Sequence, residues 1–325
     1  MTTITSSTCP LPHPFYQRLQ QIIPATEFER VIDTFSLQRQ MTLRLNPLRQ
    51  PVEITLATLQ QLSWPLQPYP LPRLPHHCFV IDADYRQPLM HHPLTESGAL
   101  YPQSLSSIMA VIALNPQPDE AILDLAAAPG GKTSLIAALM QNRGELAAVE
   151  PVKKRYFRLQ ANLARLGVSG CRCFPHDGRT IGHKVPNRFD RVLLDAPCSS
   201  ESRFNTHTPS SWHHWSLNKI AETARKQRRL LLSAIDALKP GGELLYSTCA
   251  FAPEENELVV NYALQRRPQM ALVAIDELEG LAPTQPGLTE WRGKSLPQPL
   301  TLSRRILPDE RWHGFYLAKM VKQAT

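Results

Sequence analysis

Two cysteines stand where a thiol could react with a bound molecule. Cys198 follows the apolar run in "FDRVLLDAPCSS" (189–200), and Cys249 follows the run in "GELLYSTCAFAPEENELVV" (242–260). A cysteine that only fills space would be expected inside such a run, whereas both of these lie just beyond it, before a polar or proline-containing turn. Because a thiolate is a strong nucleophile, the pair predicts covalent catalysis.

A loop of small residues lies upstream of the cysteines, in "LDLAAAPGGKTSL" (123–135). Its second half fits the phosphate-binding pattern G-x-x-x-x-G-K-[ST], but Ala126 replaces the first glycine and Pro129 removes an amide donor. The dinucleotide pattern G-x-G-x-x-G is also absent. S-Adenosylmethionine carries an ammonium, a carboxylate and a sulfonium but no phosphate. It suits this loop better, because Asp124 would repel a polyphosphate and attract a cation.

Acids at successive strand ends complete the predicted cofactor site. The helix N-terminus and Lys132 favour the carboxylate of S-adenosylmethionine. Glu150 falls where a ribose-binding acid belongs, and Asp177 could accept a hydrogen bond from the adenine amino group. Each acid alone is explained equally well as a solvated loop residue, but their joint position favours binding. The predicted cofactor-binding residues are Ala126, Ala127, Ala128, Pro129, Gly130, Gly131, Lys132, Glu150, Asp177 and Asp195.

A thiol beside a methyl donor indicates one reaction in particular. Carbon 5 of cytosine is a poor nucleophile, but it gains enamine character when a thiolate adds to carbon 6, and it can then attack a sulfonium methyl group. Asp195 could act at N3 of the base, either with a raised pKa or by sharing a proton with the base. The second thiol could serve the release step. These residues alone do not decide which cysteine is the nucleophile.

The strand ends must meet at one edge of a sheet for this chemistry to work. Apolar strands alternating with amphipathic helices predict an α/β fold with a doubly wound parallel sheet, whose ligands bind beyond the carboxyl ends of the strands. Residues 314–321 are expected to add an antiparallel strand at an edge. The predicted strands are 121–125, 144–150, 171–174, 189–195 and 242–248, and the predicted helices are 131–142, 151–166, 217–238 and 254–265.

The first hundred residues differ in composition, with many prolines and one glycine, Gly98. A helical pattern over 14–36, broken at Pro24, and short strands within 41–48 and 77–84 predict a small α+β domain. We therefore expect a separate N-terminal domain over 1–98 and a catalytic domain over 99–325.

The overall composition is that of a folded protein: 42% of the residues are hydrophobic, 19% are charged, and the net charge is +7. No apolar run approaches the ~18 residues that span a bilayer, and the first residues lack a signal-peptide pattern. We therefore expect a cytoplasmic monomer without a membrane partner. Its six thiols, those of Cys9, Cys78, Cys171, Cys173, Cys198 and Cys249, should then be reduced.

Four other segments have both a functional and a structural interpretation. "CRCFPH" (171–176) has partial metal-ligand spacing, but no second ligand pair is near, so strand cysteines are expected and no metal. The basic helices within 153–166 and 224–232 could contact phosphates or be solvated faces. The aromatic residues of "TPSSWHHWS" (208–216) could stack on unpaired bases or pack the loop onto the core, and the two alternatives remain open.

The motifs together resemble those of the RNA cytosine-5 methyltransferases of the RsmB/Nop2/Sun family. "DLAAAPGGKT" (124–133), "DAPCS" (195–199) and "YSTCAFAPEENELVV" (246–260) carry the resemblance, in this order. "LRLNPL" (43–48), "YPQSLSSIM" (101–109) and "RRILPDERWHGFYLAKM" (304–320) extend it, so that it covers roughly residues 40 to 325.

The resemblance implies a Rossmann-like class I methyltransferase sheet, S-adenosylmethionine as methyl donor and RNA as partner, with an N-terminal RNA-binding domain over 1–98. It also implies Cys249 as nucleophile, Cys198 as the release residue and Asp195 as the third catalytic residue. In enzymes that methylate DNA cytosine the nucleophile is instead the cysteine after proline. The expected function is transfer of a methyl group to carbon 5 of a cytosine in RNA, with ribosomal RNA favoured. Alternatives are a tRNA cytosine-5 methyltransferase and a catalytically weak ribosome-assembly factor.

This sequence departs from the family motifs at two places. Ala126 stands where relatives usually have cysteine, so that thiol is dispensable. The usual "PCSGxG" is replaced by "PCSSESRF" (197–204), and the missing glycines predict a stiffer loop after Cys198 with a different substrate contact.

Overall fold

The computed structural model describes residues 10–74 and 76–324. No helix within these ranges is long and apolar enough to cross a membrane.

The helices are α1 (His13–Ile22), α2 (Phe28–Asp33), α3 (Val52–Gln60), α4 (Arg86–Met90), α5 (Pro93–Glu96), α6 (Leu105–Leu114), α7 (Gly131–Leu139), α8 (Lys153–Arg165), α9 (Ile181–Lys184), α10 (Leu217–Ala237) and α11 (Glu257–Arg266). The strands are β1 (Met41–Leu45), β2 (Gln67–Pro68), β3 (Cys78–Ile81), β4 (Leu100–Pro102), β5 (Ala121–Asp124), β6 (Glu145–Val149), β7 (Cys171–Phe174), β8 (Phe189–Asp195), β9 (Leu238–Thr248), β10 (Met270–Val273), β11 (Thr284–Pro286), β12 (Glu290–Trp291), β13 (Lys294–Ser295), β14 (Arg304–Ile306) and β15 (Phe315–Lys322).

The large sheet has the order β7-β6-β5-β8-β9-β15-β14-β11, and β10 also pairs with β15. Strands β5 to β9 are parallel to one another, which confirms the predicted parallel sheet. The late strand is antiparallel to β9, as expected. Its predicted edge position is wrong, because β10 and β14 hydrogen-bond to the side of β15 that faces away from β9.

Helices cover both faces of this sheet. Leu193 of β8 packs with α6 and α7, whereas its neighbours Val192 and Leu194 pack with α10, as the two-residue period of a strand requires. The chain runs from β5 outward to β7 and then crosses to β8 on the other side of β5. The winding therefore reverses between β5 and β8, and a crevice opens at their carboxyl ends.

The N-terminal region contributes two separate structures. Strands β1 to β4 form a small antiparallel sheet in the order β2-β3-β1-β4, in which β4 lies beyond the predicted boundary at residue 98. Helices α1 and α2 instead pack against residues of the C-terminal half, through Phe15 and Phe28 on one side and Phe204 and Phe251 on the other. The division at residue 98 remains a prediction.

Candidate active site

A cavity of about 490 Å³ lies over the carboxyl ends of β5, β8 and β9. The fold thus brings together strand ends that are more than a hundred residues apart in the sequence. Among the predicted site residues, those that line the cavity are Ala126, Ala127, Ala128, Pro129, Gly131, Lys132, Asp195, Cys198 and Cys249, together with Asp124.

The two predicted catalytic thiols are in contact, with 3.1 Å between the Sγ atoms of Cys198 and Cys249. A hydrogen bond from the Cys198 thiol lowers the pKa of Cys249, and the nearby Arg203 guanidinium lowers it further, against the effect of burial. The same hydrogen bond, with burial, raises the pKa of Cys198. Cys249 is therefore the more readily deprotonated thiol of the pair, and Cys198 the one that keeps its proton to higher pH.

Asp195 and Lys132 lie beside the thiols as an ion pair. The Lys132 Nζ is 2.6 Å from Asp195 Oδ2 and also donates to Ser107 Oγ at 3.2 Å. The other carboxylate oxygen accepts from Ser247 Oγ at 2.8 Å. Lys132, predicted to bind the cofactor, thus also holds the acid that is predicted to act on the base. The Lys132 ammonium thus connects the predicted cofactor side of the cavity with the predicted catalytic side.

The loop after β5 has little capacity to bind a phosphate. The N–H groups of Ala127 and Gly130 already donate to backbone carbonyls, and Pro129 has none. Gly130 has φ +106°, a conformation that favours glycine. Asp124 is buried and accepts a hydrogen bond from Thr133 Oγ1 at 2.7 Å. Burial raises the pKa of Asp124 to about 6, and a cation bound beside the carboxylate would lower this pKa again.

Three predicted cofactor residues do not line the cavity. Gly130 turns away to pack near Leu159. Glu150 is buried beyond the end of β6, where it accepts from the Val152 N–H at 2.9 Å. Asp177 is paired with Arg179 through several hydrogen bonds. The predicted contacts of Glu150 with the ribose and of Asp177 with the adenine therefore remain predictions.

Sequence reasoning missed several residues that line the cavity. Tyr101, Gln103 and Ser107 lie in the segment that resembles the family's Gln/Ser helix, so this motif is the sequence signal that points to them. Arg155 lies on the basic helix α8, and its Nη2 donates to the Ala128 carbonyl at 3.0 Å. Ser200 belongs to the divergent segment 199–204, as does Arg203.

The segment after Cys198 is bound tightly to the segment after Cys249. The Glu201 carboxylate is buried and accepts from the N–H groups of Phe251 at 2.7 Å and Ala252 at 2.8 Å. The Ser202 N–H donates to the Cys249 carbonyl at 3.1 Å. These hydrogen bonds give a physical basis for the predicted stiffness of the loop, because charge-assisted bonds from the Glu201 carboxylate restrict a segment that also lacks the usual glycines.

The tryptophans of the 208–216 loop pack onto the core. Trp215 contacts the ring of Phe15 edge-on and donates its Nε1–H to Glu201 at 2.8 Å. Trp212 packs against Phe204. The structure therefore favours the packing alternative over base stacking for both rings, whereas His213 and His214 are exposed.

Cys171 and Cys173 lie half-buried on β7, next to Leu159 and Leu163 of α8. Across residues 10–74 and 76–324, no group of three or more His, Cys, Asp or Glu side chains could hold a metal ion. Cys9 lies outside the described residues.

The chain is similar to a known protein family and to several bacterial enzymes. Residues 111–321 match the family described as 16S rRNA methyltransferase RsmB/F. The chain is 39% identical over 317 residues to the ribosomal RNA small subunit methyltransferase F of Erwinia tasmaniensis, covering 97% of this chain and 64% of that protein. A Pectobacterium carotovorum protein of the same name is covered to 54%, so the chain spans only part of the length of these relatives.

Two archaeal proteins match over most of their length. The tRNA (cytosine(49)-C(5))-methyltransferase of Pyrococcus abyssi is 36% identical, covering 86% of this chain and 88% of that protein. A solved structure of a methyltransferase homolog protein from Pyrococcus horikoshii is 30% identical with a TM-score of 0.81, covering 96% of this chain and 95% of that chain.

Proposed function

This chain belongs to the RsmB/F family of 16S rRNA methyltransferases, and we propose that it transfers a methyl group from S-adenosylmethionine to carbon 5 of a cytosine in RNA. The observation that carries the proposal is the contact between the Sγ atoms of Cys249 and Cys198, 3.1 Å apart in one cavity with Asp195. A reactive thiol, a second thiol and an acid at one point are what addition to a pyrimidine and later release require.

The other half of the cavity fits S-adenosylmethionine. The small residues Ala126, Ala127 and Ala128 leave room for the methionine part beside the backbone, and the buried Asp124 carboxyl suits its ammonium. When bound, S-adenosylmethionine supplies an electrophilic methyl group to carbon 5. The cavity's volume of about 490 Å³ is within the range of small-molecule sites.

The protein's own residues would then act in a fixed order. The Cys249 thiolate forms a bond to carbon 6 of cytosine, and the displaced electron pair is stabilised by a proton shared between N3 and Asp195. Lys132 and Ser247 hold Asp195 in place. After methylation, Cys198, having lost its own proton to solvent, takes the proton from carbon 5. The carbon 5–carbon 6 double bond re-forms as the bond to Cys249 breaks and its electron pair returns to sulfur.

The RNA class is proposed from the relatives. The family description and the bacterial relatives favour 16S rRNA. The nearly full-length match with the Pyrococcus abyssi enzyme favours tRNA as the second candidate. In either case the target base must be unpaired or flipped out to reach the cavity.

Methyl incorporation tests the proposal directly. Small-subunit rRNA and tRNA transcripts are incubated with the protein and tritiated S-adenosylmethionine, and bisulfite sequencing maps the product. We expect 5-methylcytosine in one RNA class and none in a DNA of the same sequence. RNA binding without incorporation into either RNA class would favour an assembly factor instead.

The charge of Asp124 should control cofactor binding. Asp124→Asn is expected to weaken S-adenosylmethionine binding roughly 30-fold at pH 8, the effect of losing a hydrogen bond to a charged group. Because the pKa of Asp124 is about 6, wild-type affinity should fall as pH drops through 6, while that of the variant stays level. Calorimetry at several pH values measures both. Asp119→Asn is the control, because Asp119 lies before β5, at the opposite end of the strand from the cavity. This variant should bind S-adenosylmethionine with unchanged affinity at every pH.

The basic face of α8 should bind the RNA backbone. Helix α8 contains no acidic residue, and within the described chain neither Lys153 nor Lys154 forms an ion pair. On α10, by contrast, Lys219 and Lys226 both pair with Glu222. Lys153→Gln with Lys154→Gln should reduce the salt dependence of RNA binding, by roughly 1.4 in the log–log slope for two single-strand phosphate contacts.

The control is the double glutamine variant of Lys219 and Lys226, measured by the same salt titration. Equal losses of salt dependence in the two double variants would mean that the charge acts without regard to position, and would contradict docking on α8.

A further inference from the structure

Ser200 has a backbone conformation that its side chain disfavours. Its φ is +59° and its ψ 30°, in the left-handed region. In the family motif "PCSGxG" this position is a glycine, which adopts such angles freely. A serine here loses that freedom, so the question is what the hydroxymethyl group contributes in return.

Hydrogen bonds on both sides of Ser200 fix this conformation. Before it, Ser199 donates from its N–H at 3.0 Å and from its Oγ at 2.8 Å to Glu255 Oε2. After it, the Glu201 carboxylate accepts from the N–H groups of Phe251 and Ala252. These anchors restrain the backbone of Ser200 from both sides, and so restrain the direction of its side chain.

That side chain points to the reacting sulfur. The Cys249 thiol donates to the Oγ of Ser200 across 3.7 Å, and Ser200 lines the cavity. Once the thiol has lost its proton, the Ser200 hydroxyl can donate to the sulfur in return. The hydrogen bond from Cys198 has the largest effect on the Cys249 thiol, and Ser200 adds a second hydrogen bond that lowers its pKa in the same direction. The charged groups that also act on this sulfur or respond to it are Arg203, Asp195 and Glu255.

We propose that Ser200 is a positioning residue for the nucleophile, whose hydroxyl holds the Cys249 thiolate from a second side. The inference rests on the proposed function, in which Cys198 changes role during the cycle. Before Cys198 takes the carbon 5 proton it has no proton to donate to the Cys249 sulfur, whereas the Ser200 hydroxyl has one throughout. The sulfur would thus have a donor in place before the bond to carbon 6 begins to break.

The test is the pH dependence of Cys249 alkylation in Ser200→Gly and Ser200→Ala. Glycine adopts the loop conformation without strain, so this variant keeps the fold, and alanine keeps the Cβ but loses the hydroxyl. Iodoacetamide labelling of the Cys249 peptide is followed by mass spectrometry from pH 5 to 9. Both variants should move the labelling midpoint upward by about half to one pH unit, with labelling about three- to ten-fold slower near pH 5 and equal at pH 9.

Ser202→Ala is the matched control, because its buried Oγ has no hydrogen-bond partner in the described chain and should leave the midpoint unchanged. Wild-type midpoints in both Ser200 variants would overturn the proposal. A shift equal to theirs in the Ser202 variant would also overturn it, because the loop as a whole would then be responsible. The labelling needs neither RNA nor methyl donor, so absence of methyl transfer with a clear Ser200 shift would refute the proposed function alone.

Discussion

Replacing Cys249 by serine should reduce methyl transfer at least about 10⁴-fold, the scale on which enzymes lose rate when a covalent nucleophile is removed. A serine hydroxyl stays protonated at neutral pH, whereas the hydrogen bond from Cys198 lowers the pKa of the Cys249 thiol. The serine side chain is similar in size, so the loop between β9 and α11 should keep its conformation. The rate is measured as tritiated methyl incorporated into RNA under single-turnover conditions.

Two measurements separate a lost nucleophile from a damaged protein. Binding of S-adenosylmethionine, followed as a rise in melting temperature, should be unchanged in Cys249→Ser. Cys171→Ser removes a half-buried thiol on β7, which does not line the cavity, and should retain full activity. Substantial residual transfer by Cys249→Ser would refute the assignment of Cys249 as nucleophile.

Replacing Cys198 by alanine should trap the covalent intermediate between Cys249 and the RNA. The variant can still form the bond to carbon 6 and methylate carbon 5, but it lacks the group that takes the carbon 5 proton. A protein–RNA adduct should therefore accumulate and survive denaturation, with turnover reduced by roughly 10² to 10⁴-fold, the usual contribution of a positioned acid or base. Loss of the Cys198 thiol also raises the pKa of Cys249, so the adduct should form faster at pH 8.5 than at pH 6.5.

Denaturing gels with labelled RNA show the adduct directly. The double variant of Cys198 and Cys249, both to alanine, should form none. An adduct in Cys249→Ala alone would reverse the roles of the two thiols and give the arrangement of the DNA enzymes. The absence of an adduct in Cys198→Ala with every RNA tested would contradict a release role for Cys198.

The two thiols were assigned different roles only by resemblance at the level of sequence. Both follow apolar strands and precede turns, so spacing alone could not order them. The structure adds a physical difference, since the contact with Cys198 and the nearby Arg203 lower the pKa of Cys249, whereas the pKa of Cys198 is raised. That difference arises between loops 51 residues apart, and no local pattern contains it.

The sequence by itself determined the α/β class, the parallel strands β5 to β9 and the small-residue loop at 126–132, because hydrophobic periodicity and glycine or proline positions act over a few residues. It also brought Asp195, Cys198 and Cys249 to one edge, since carboxyl ends of parallel strands must meet there.

Only the tertiary structure decided what depends on distant partners. Lys132 pairs with Asp195, β15 has neighbours on both sides, and Trp215 donates a hydrogen bond to Glu201. The Ser200 hydroxyl likewise meets the Cys249 sulfur only because Glu255 and Glu201 hold its neighbours. Such contacts form between residues that are distant in the sequence and adjacent in the folded protein. Their energies depend on burial, which no short segment can create alone.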